Sequence, residues 1–334
     1  MPSSDLGNDA RWRGALGIAA AVLLLVLVLI VSRVVWFDAY WIYREHPPWL
    51  KVTGGASRLI DRQTRRAKVL QALTREYTVA LVGSSTVYHG LNPRDVDSVL
   101  KGRVYNAGIS ALRADELPMI ASVVASREGV ERVVVGLDYY MFSRLEPPPV
   151  QLSRALLHDL GRWNTLLGAA IGRYAIADSF IDAVAGGSDP GAWTRDGFRI
   201  TPKLPPDLTQ QNDATRRRIT AAYRPETLAP LREALHELVR VPVTLYLSPV
   251  SDAQRRVMVE RDLLDDFARW RADVARVAAD HQIRFHDLAD RGTAYPFDPS
   301  TGSTDVWLDN LHYTPLLGRQ VLEAVGLRSL GLPE

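Results

Sequence analysis

Apolar residues are distributed along this chain in three different ways. Gly14 to Ser32 (GALGIAAAVLLLVLVLIVS) is one unbroken block, nineteen residues without a charge. Five shorter, β-rich runs follow at 77–83 (YTVALVG), 104–110 (VYNAGIS), 130–138 (VERVVVGLD), 241–250 (VPVTLYLSPV) and 282–290 (QIRFHDLAD). None alternates strictly between apolar and polar, which predicts strands covered on both faces. Between them apolar positions recur near helical spacing at 94–100, 114–126, 251–281 and 316–325, and a basic stretch at 58–76 also has helical character. Ser251 and Asp252 can cap the long 251–281 run, and Pro315 opens the last one.

Strands and helices in alternation predict an α/β fold with a parallel sheet between helical layers. Ligands of such sheets bind beyond the carboxyl ends of the strands. The alternation breaks between the third and fourth strands, where residues 143–240 are too many for a single crossover. Within them 151–187 has an amphipathic helical pattern, and 188–215 is polar and contains prolines. This predicts an insertion at the strand ends, placed to act as a lid or docking surface.

At about 1.5 Å per residue the N-terminal block spans roughly 30 Å, the hydrocarbon thickness of a bilayer. Arg11 and Arg13 precede it and favour a cytoplasmic N-terminus. Trp36, Phe37, Tyr40, Trp41 and Tyr43 follow it and suit the far interface. The block is longer than the core of a secretory signal, and no small-residue cleavage site follows it. The expected organisation is a cytoplasmic tail (1–13), a single transmembrane anchor (14–36), a juxtamembrane connector (37–76) and an extracytoplasmic domain (77–330), periplasmic or extracellular.

Composition narrows the chemistry. The 334 residues are 47% hydrophobic, enough for one sizeable core. With 40 basic against 38 acidic residues, no nucleic-acid footprint is expected. The absence of cysteine excludes disulfides, thiolate metal sites and a cysteine nucleophile. No phosphate-binding glycine loop, HExxH or dinucleotide fingerprint is present, and His286 with Asp287 lacks a third ligand, so neither cofactor nor metal is expected.

Three features fall where strands should end. Gly83-Ser84-Ser85 follows the first strand; alone it fits a helix-capping turn as well as a nucleophile. Asp309 and His312, in WLDNLHYTP, are three apart and face one side of a turn. A carboxylate there can accept the imidazole Nδ1–H and leave Nε2 as a base, or the pair can be a helix cap beside a surface histidine. Gly108, in NAGIS, either ends a strand or lets a backbone N–H approach a reacting oxygen.

In this order the three blocks resemble those of the SGNH (GDSL-type) hydrolase superfamily: Gly-Asp-Ser after the first strand, a glycine after the second, and Asp-x-x-His near the C-terminus. The resemblance spans roughly residues 77–328, apart from the insertion. In detail, VGSSTVYHGLNP, VYNAGIS, VVVGLDYYMF and DNLHYTP are similar to membrane-anchored, extracytoplasmic SGNH-like proteins of polysaccharide O-acetylation and lipoteichoic-acid D-alanylation. The resemblance implies a flavodoxin-like three-layer fold with a five-stranded parallel sheet. It implies Ser85 as nucleophile, His312 as base, Asp309 as its orienting acid, and backbone N–H groups of Ser85 and Gly108 as oxyanion donors.

One block departs from the pattern. The superfamily places an oxyanion-binding asparagine after the third strand, and this chain has Asp138. An ionised carboxylate cannot donate a hydrogen bond. Asp138 therefore points elsewhere as a strand-end cap, is protonated, or leaves the oxyanion to Ser85 and Gly108. Ser84, which takes the place of the GDSL aspartate, is expected to line the substrate cleft with His89 and Tyr139. The implied activity is that of a serine esterase or O-acyltransferase acting on acyl esters of a cell-envelope polysaccharide, exopolysaccharide or other acylated glycopolymer, with a membrane-bound O-acyltransferase as possible partner. The alternative is a non-catalytic assembly or carbohydrate-binding component built on a degenerate form of the same fold.

Overall fold

The computed structural model describes residues 5–38, 40–43, 60–61, 63–143, 176–177, 179, 192–219 and 221–329. The strands, in chain order, are β1 (Val79–Val82), β2 (Val104–Asn106), β3 (Arg132–Leu137), β4 (Ala192–Trp193), β5 (Arg199–Ile200), β6 (Val243–Leu247) and β7 (Arg284–Asp287). Five of them form one all-parallel sheet in the order β2-β1-β3-β6-β7; β4 and β5 pair as a separate antiparallel hairpin. Every predicted strand is present, each trimmed at one or both ends.

The absence of strict alternation in these runs has a direct cause. On β1, Ala80 and Val82 face one core, while Val79 and Leu81 face the other. On β3, Val133 and Val135 oppose Val134 in the same way. On these two inner strands both faces are buried, so successive residues are apolar, whereas the edge strand β7, expected to be covered on both faces, leaves Arg284 and Asp287 exposed.

Helices α1 (Asp5–Phe37), α2 (Thr64–Thr74), α3 (Ser85–Gly90), α4 (Leu117–Ala125) and α5 (Tyr139–Ser143) occupy the first half of the chain. The second half holds α6 (Pro206–Ile219), α7 (Ala229–Glu237), α8 (Asp252–Glu260), α9 (Leu264–Asp280) and α10 (Pro315–Ala324). Residues of α2, α4, α7 and α9 join one core and residues of α3, α8 and α10 the other, giving three layers. On α9, Phe267, Trp270, Val274, Val277 and Ala278 follow helical spacing and are buried. Each such large side chain contributes about 1.5–3 kcal/mol on full burial.

Three sequence expectations change. The 251–281 helix is two, because Asp262 adopts a left-handed φ of 55° between α8 and α9. The 94–100 helix is two short 3₁₀ turns, Pro93–Asp95 and Ser98–Leu100, separated by the extended Val96. The region read as an insertion over 143–240 ends earlier. α7 buries Leu231, Ala234 and Leu235 in the core shared with α4, so it is the sheet's own crossover helix. The polar stretch 188–215 contains the β4–β5 hairpin and most of α6. Apart from 176, 177 and 179, the amphipathic pattern at 151–187 lies outside the described residues.

α1 includes a 26-residue span, Trp12–Phe37, long and apolar enough to cross a membrane. Its far end is not a loose tether. Val34, Phe37, Tyr40, Trp41 and Ile42 form one buried cluster with Ala67 and Leu70 of α2, Tyr88 of α3 and Trp193 of β4. Gln71 donates to the Tyr40 carbonyl at 2.6 Å, and Arg75 to that of Trp41 at 2.9 Å.

Candidate active site

The strand order reverses at β1, whose neighbours are β2 and β3, and the candidate residues gather beyond the carboxyl ends of these three strands. The chain leaves β1 through Gly83, with φ at 154°. A Cβ there would lie 2.5 Å from Val87 and 2.7 Å from the Gly136 carbonyl, so only glycine fits. Ser84 is the N-cap of α3, its hydroxyl accepting from the Thr86 N–H at 3.2 Å. Ser85 is therefore the first helical residue, where a backbone N–H has no intrahelical acceptor.

Residues 307–313 form a tight loop closed by a bridge between Trp307 and Tyr313. Asp309 Oδ1 accepts the backbone N–H groups of Leu311 and His312, both at 2.8 Å, in an Asx-type turn. The same turn brings His312 Nδ1 to 2.8 Å from Asp309 Oδ2. His312 Nε2 then lies 2.7 Å from Ser85 Oγ, although Ser85 and His312 are 227 residues apart. All three residues are buried. With Nδ1–H held by the carboxylate, Nε2 is the imidazole acceptor and can take the Ser85 proton.

Ser84 does not line the cleft as expected, and Asp138 points to Ser84 and Thr86. Ser84 is fully buried and donates to Asp138 Oδ2 while accepting from Tyr140 at 2.5 Å. Thr86 donates to the same carboxyl at 3.0 and 3.1 Å. Asp138 is thus an acceptor that clamps the serine turn from below. Its carboxyl is pushed above the usual range by burial, opposed by bonds from Ser84, Ser248 and Thr86 and by the charge of His312.

Gly108 also differs from expectation. Its N–H donates to Asn106 Oδ1 at 3.0 Å, so it is already engaged. A Cβ at Gly108 would meet the Ser84 carbonyl at 2.9 Å and the Tyr88 N at 3.0 Å, so the glycine permits close packing against the serine turn. Asn106 is fully buried, and its Nδ2 caps the Val87 and Leu91 carbonyls at 2.9 and 2.8 Å, tying β2 to the end of α3.

Tyr139 lies away from the site. Its ring packs edge-on against Phe267 and Trp270, and its hydroxyl donates to the Ala221 carbonyl at 3.2 Å. The following tyrosine, Tyr140, is the one that reaches the site. His89 is half-buried and stands edge-on to His312 with ring centroids 4.8 Å apart. Its Nδ1 is 2.8 Å from Thr201 Oγ1.

Thr201 and Asn212 belong to the insertion, and neither was legible beforehand. Asn212 Nδ2 donates to Asp309 Oδ2 at 3.1 Å. The segment between them is fastened to the 299–305 region: Leu204 and Ser303 exchange bonds of 2.7 and 2.9 Å, and Thr209 donates to Pro299 at 2.5 Å. This part of the insertion meets the pair directly through Asn212 on Asp309 and indirectly through Thr201 on His89. Among the described residues no group of three or more metal-ligating side chains is gathered.

No family model and no curated protein matches this chain. Among solved structures, one from Streptococcus pneumonia, provisionally described as a platelet activating factor, is similar over 80% of this chain and 92% of its own. The identity is 13% and the TM-score 0.41.

Proposed function

We propose that the protein is a membrane-anchored serine esterase or O-acyltransferase of SGNH type. The observation that carries this reading is the continuous row Asp309–His312–Ser85, with contacts of 2.8 and 2.7 Å. Ser85 Oγ attacks an ester carbonyl as His312 Nε2 takes its proton, and His312 returns the proton to the leaving alcohol. The acyl group, now on Ser85, passes to water or to a sugar hydroxyl. With the Gly108 N–H engaged, the Ser85 N–H at the first position of α3 is the oxyanion donor on this reading. Loss of a second donor costs about 3 kcal/mol of transition-state stabilisation, which fits a slow, specialised enzyme.

On this reading α1 is the anchor and the site faces the cell envelope, where acylated glycopolymers are the substrates. Acyl donors made in the cytoplasm then require a membrane partner such as a membrane-bound O-acyltransferase. The engaged Gly108 N–H and the acceptor Asp138 favour one second reading, a non-catalytic carbohydrate-binding component. Fluorophosphonate labelling of the full chain in detergent separates the two. The enzyme reading expects label on the wild type and none on Ser85→Ala or His312→Ala. Label on Ser85→Ala equal to wild type sinks the nucleophile; no label on any form, with no acetyl-ester cleavage, supports the binding protein.

A further inference from the structure

The membrane-spanning helix and the candidate triad are joined by a short row of packed rings. Trp193 of β4 and Tyr88 of α3 lie in the buried cluster that holds Val34, Phe37, Tyr40 and Trp41. The Trp193 and Tyr88 ring centroids are 5.0 Å apart, those of Tyr88 and His89 4.5 Å, and those of His89 and His312 4.8 Å. Ser85 precedes Tyr88 by three residues of α3, about 4.5 Å of helical rise. Nucleophile and base are thus separated by very few side chains from the packing at the end of α1.

The level of that packing relative to a bilayer follows from the chain. The charge-free block ends at Ser32. Ile30, still inside the block, is partly buried against the same cluster, and Arg33, one residue beyond it, donates to the Ser179 carbonyl of the insertion at 2.8 Å. The domain therefore meets its helix at the hydrocarbon edge, with no stalk between them. The polar headgroup layer beyond that edge is about 5–7 Å thick, comparable with one ring-to-ring step in the row. The insertion adds apolar surface beside the site. Leu208 lies one turn before Asn212 on α6, on the face from which Asn212 bonds Asp309, and is 42% exposed.

From these observations we infer that the ester attacked by Ser85 belongs to an amphiphile resident in the bilayer. Its acyl-bearing head reaches the triad from the leaflet that faces the domain, while its apolar part stays among lipid chains and against Leu208. Ser85 Oγ bonds to the acyl carbon, the bond from that carbon to the alkoxy oxygen breaks, and His312 moves the serine proton to the leaving oxygen. The freed alcohol remains in the leaflet. Water or a sugar hydroxyl then takes the acyl group from Ser85 and returns a proton to it through His312. The inference rests on Ser85 as nucleophile and on α1 as an uncleaved anchor, and makes a glycopolymer in the envelope the acceptor rather than the donor.

The test uses the full chain in nanodiscs and two fluorophosphonates, one on a hexadecyl chain that resides in the bilayer and one on a short glycol chain that stays in water. The readout is the ratio of their labelling rates. A spacer of about twenty Gly and Ser residues inserted after Phe37 keeps the anchor and lets the domain stand off by about 25 Å. It should lower the ratio about tenfold, because the site then meets the lipid surface less often. Labelling by the water-borne probe shows in each form that the triad is assembled. Leu208→Ser leaves the joint with the anchor untouched, decides independently of the spacer, and should lower the ratio severalfold. A ratio unchanged by both alterations overturns the inference and assigns the ester to a water-borne polymer, with Ser85 still the nucleophile. Absence of label from both probes on every form overturns the Ser85 reading itself, and an intact mass without α1 overturns the anchor.

Discussion

Asn212 donates to the Asp309 carboxylate at 3.1 Å, joining two residues 97 positions apart. One belongs to the insertion and the other to the candidate triad. The bond spreads the charge that Asp309 presents to His312 and fixes the carboxylate oxygen that His312 Nδ1 meets. Hydrogen bonds to charged groups contribute about 1.5–3 kcal/mol. Asn212→Ala should therefore slow fluorophosphonate labelling by about tenfold or more, and Asn212→Asp should slow it further by placing like charge beside Asp309. Labelling of Asn212→Ala at the wild-type rate would remove the insertion from the active site.

Asp309→Asn separates orientation from size. An asparagine Oδ1 can still accept the Leu311 and His312 N–H groups that shape the loop. It cannot hold Nδ1 as a charged acceptor or stabilise the imidazolium. Turnover of an aryl acetate should fall by about 10³- to 10⁴-fold with little change in the unfolding midpoint. A fall below tenfold would mean that His312 does not depend on its carboxylate.

The sheet was legible from local signals, whereas Ser85, His312 and Asp309 were singled out by the order of blocks that resembles the SGNH superfamily, each block alone being ambiguous. Buried strands need uninterrupted apolar runs, and the serine turn needs Gly83 with a capping hydroxyl. Asp309 and His312 sit in one turn whose geometry follows from their spacing. Asn212 and Thr201 were not legible. Their partners are distant in sequence, and the polar stretch that holds them has no periodicity to fix which side faces the site. Tyr139 and Tyr140 are adjacent, and only the helical path of α5 decides which of them turns to Ser84 and which to Phe267. Gly108 was expected as an oxyanion donor, and no local pattern indicated that Asn106 would take its N–H.

Asp138→Asn should alter the pH dependence of stability. Burial raises the carboxyl pKa above its ordinary 3.8, so the folded protein holds this proton more tightly than the unfolded chain. Stability is then lost as pH rises from 3.8 toward the folded value, and the penalty persists in full above it. Asparagine keeps an acceptor for Ser84 and abolishes the ionisation. Relative to wild type, the variant should gain thermal stability as pH rises above about 4, while any difference between the two stays constant at lower pH. A constant offset at every pH, measured by thermal unfolding, would show that Asp138 does not titrate with folding.

Gly83→Ala tests whether the turn before Ser85 is sterically fixed. The added methyl would meet Val87 and the Gly136 carbonyl at 2.5 and 2.7 Å, with φ at 154°. Strain of this kind costs about 1–3 kcal/mol, and movement of the turn displaces Ser85 Oγ from His312. Urea unfolding should show a lower midpoint with an unchanged slope, and fluorophosphonate labelling should fall more than stability alone accounts for. Full labelling in a folded Gly83→Ala protein would show that the turn tolerates adjustment.

Tyr139→Phe and Tyr140→Phe should give opposite outcomes, although each removes one hydroxyl from α5. The Tyr139 hydroxyl bonds the Ala221 carbonyl at 3.2 Å beside the Phe267 and Trp270 rings, so its loss acts on packing. A net change of about 0.5–1.5 kcal/mol in stability is expected, with the labelling rate unaltered. The Tyr140 hydroxyl donates to Ser84 Oγ at 2.5 Å, and Ser84 in turn donates to Asp138. Without it, Ser84 loses the donor that fixes its hydroxyl between the Thr86 N–H and the Asp138 carboxyl. The N-terminus of α3, and with it the Ser85 N–H, is then less firmly aimed at the developing oxyanion. Tyr140→Phe should lower kcat on an aryl ester severalfold at nearly unchanged KM, the signature of a contact felt in the transition state rather than in substrate binding. If Tyr139→Phe slows catalysis while Tyr140→Phe does not, the serine turn is not held through Ser84.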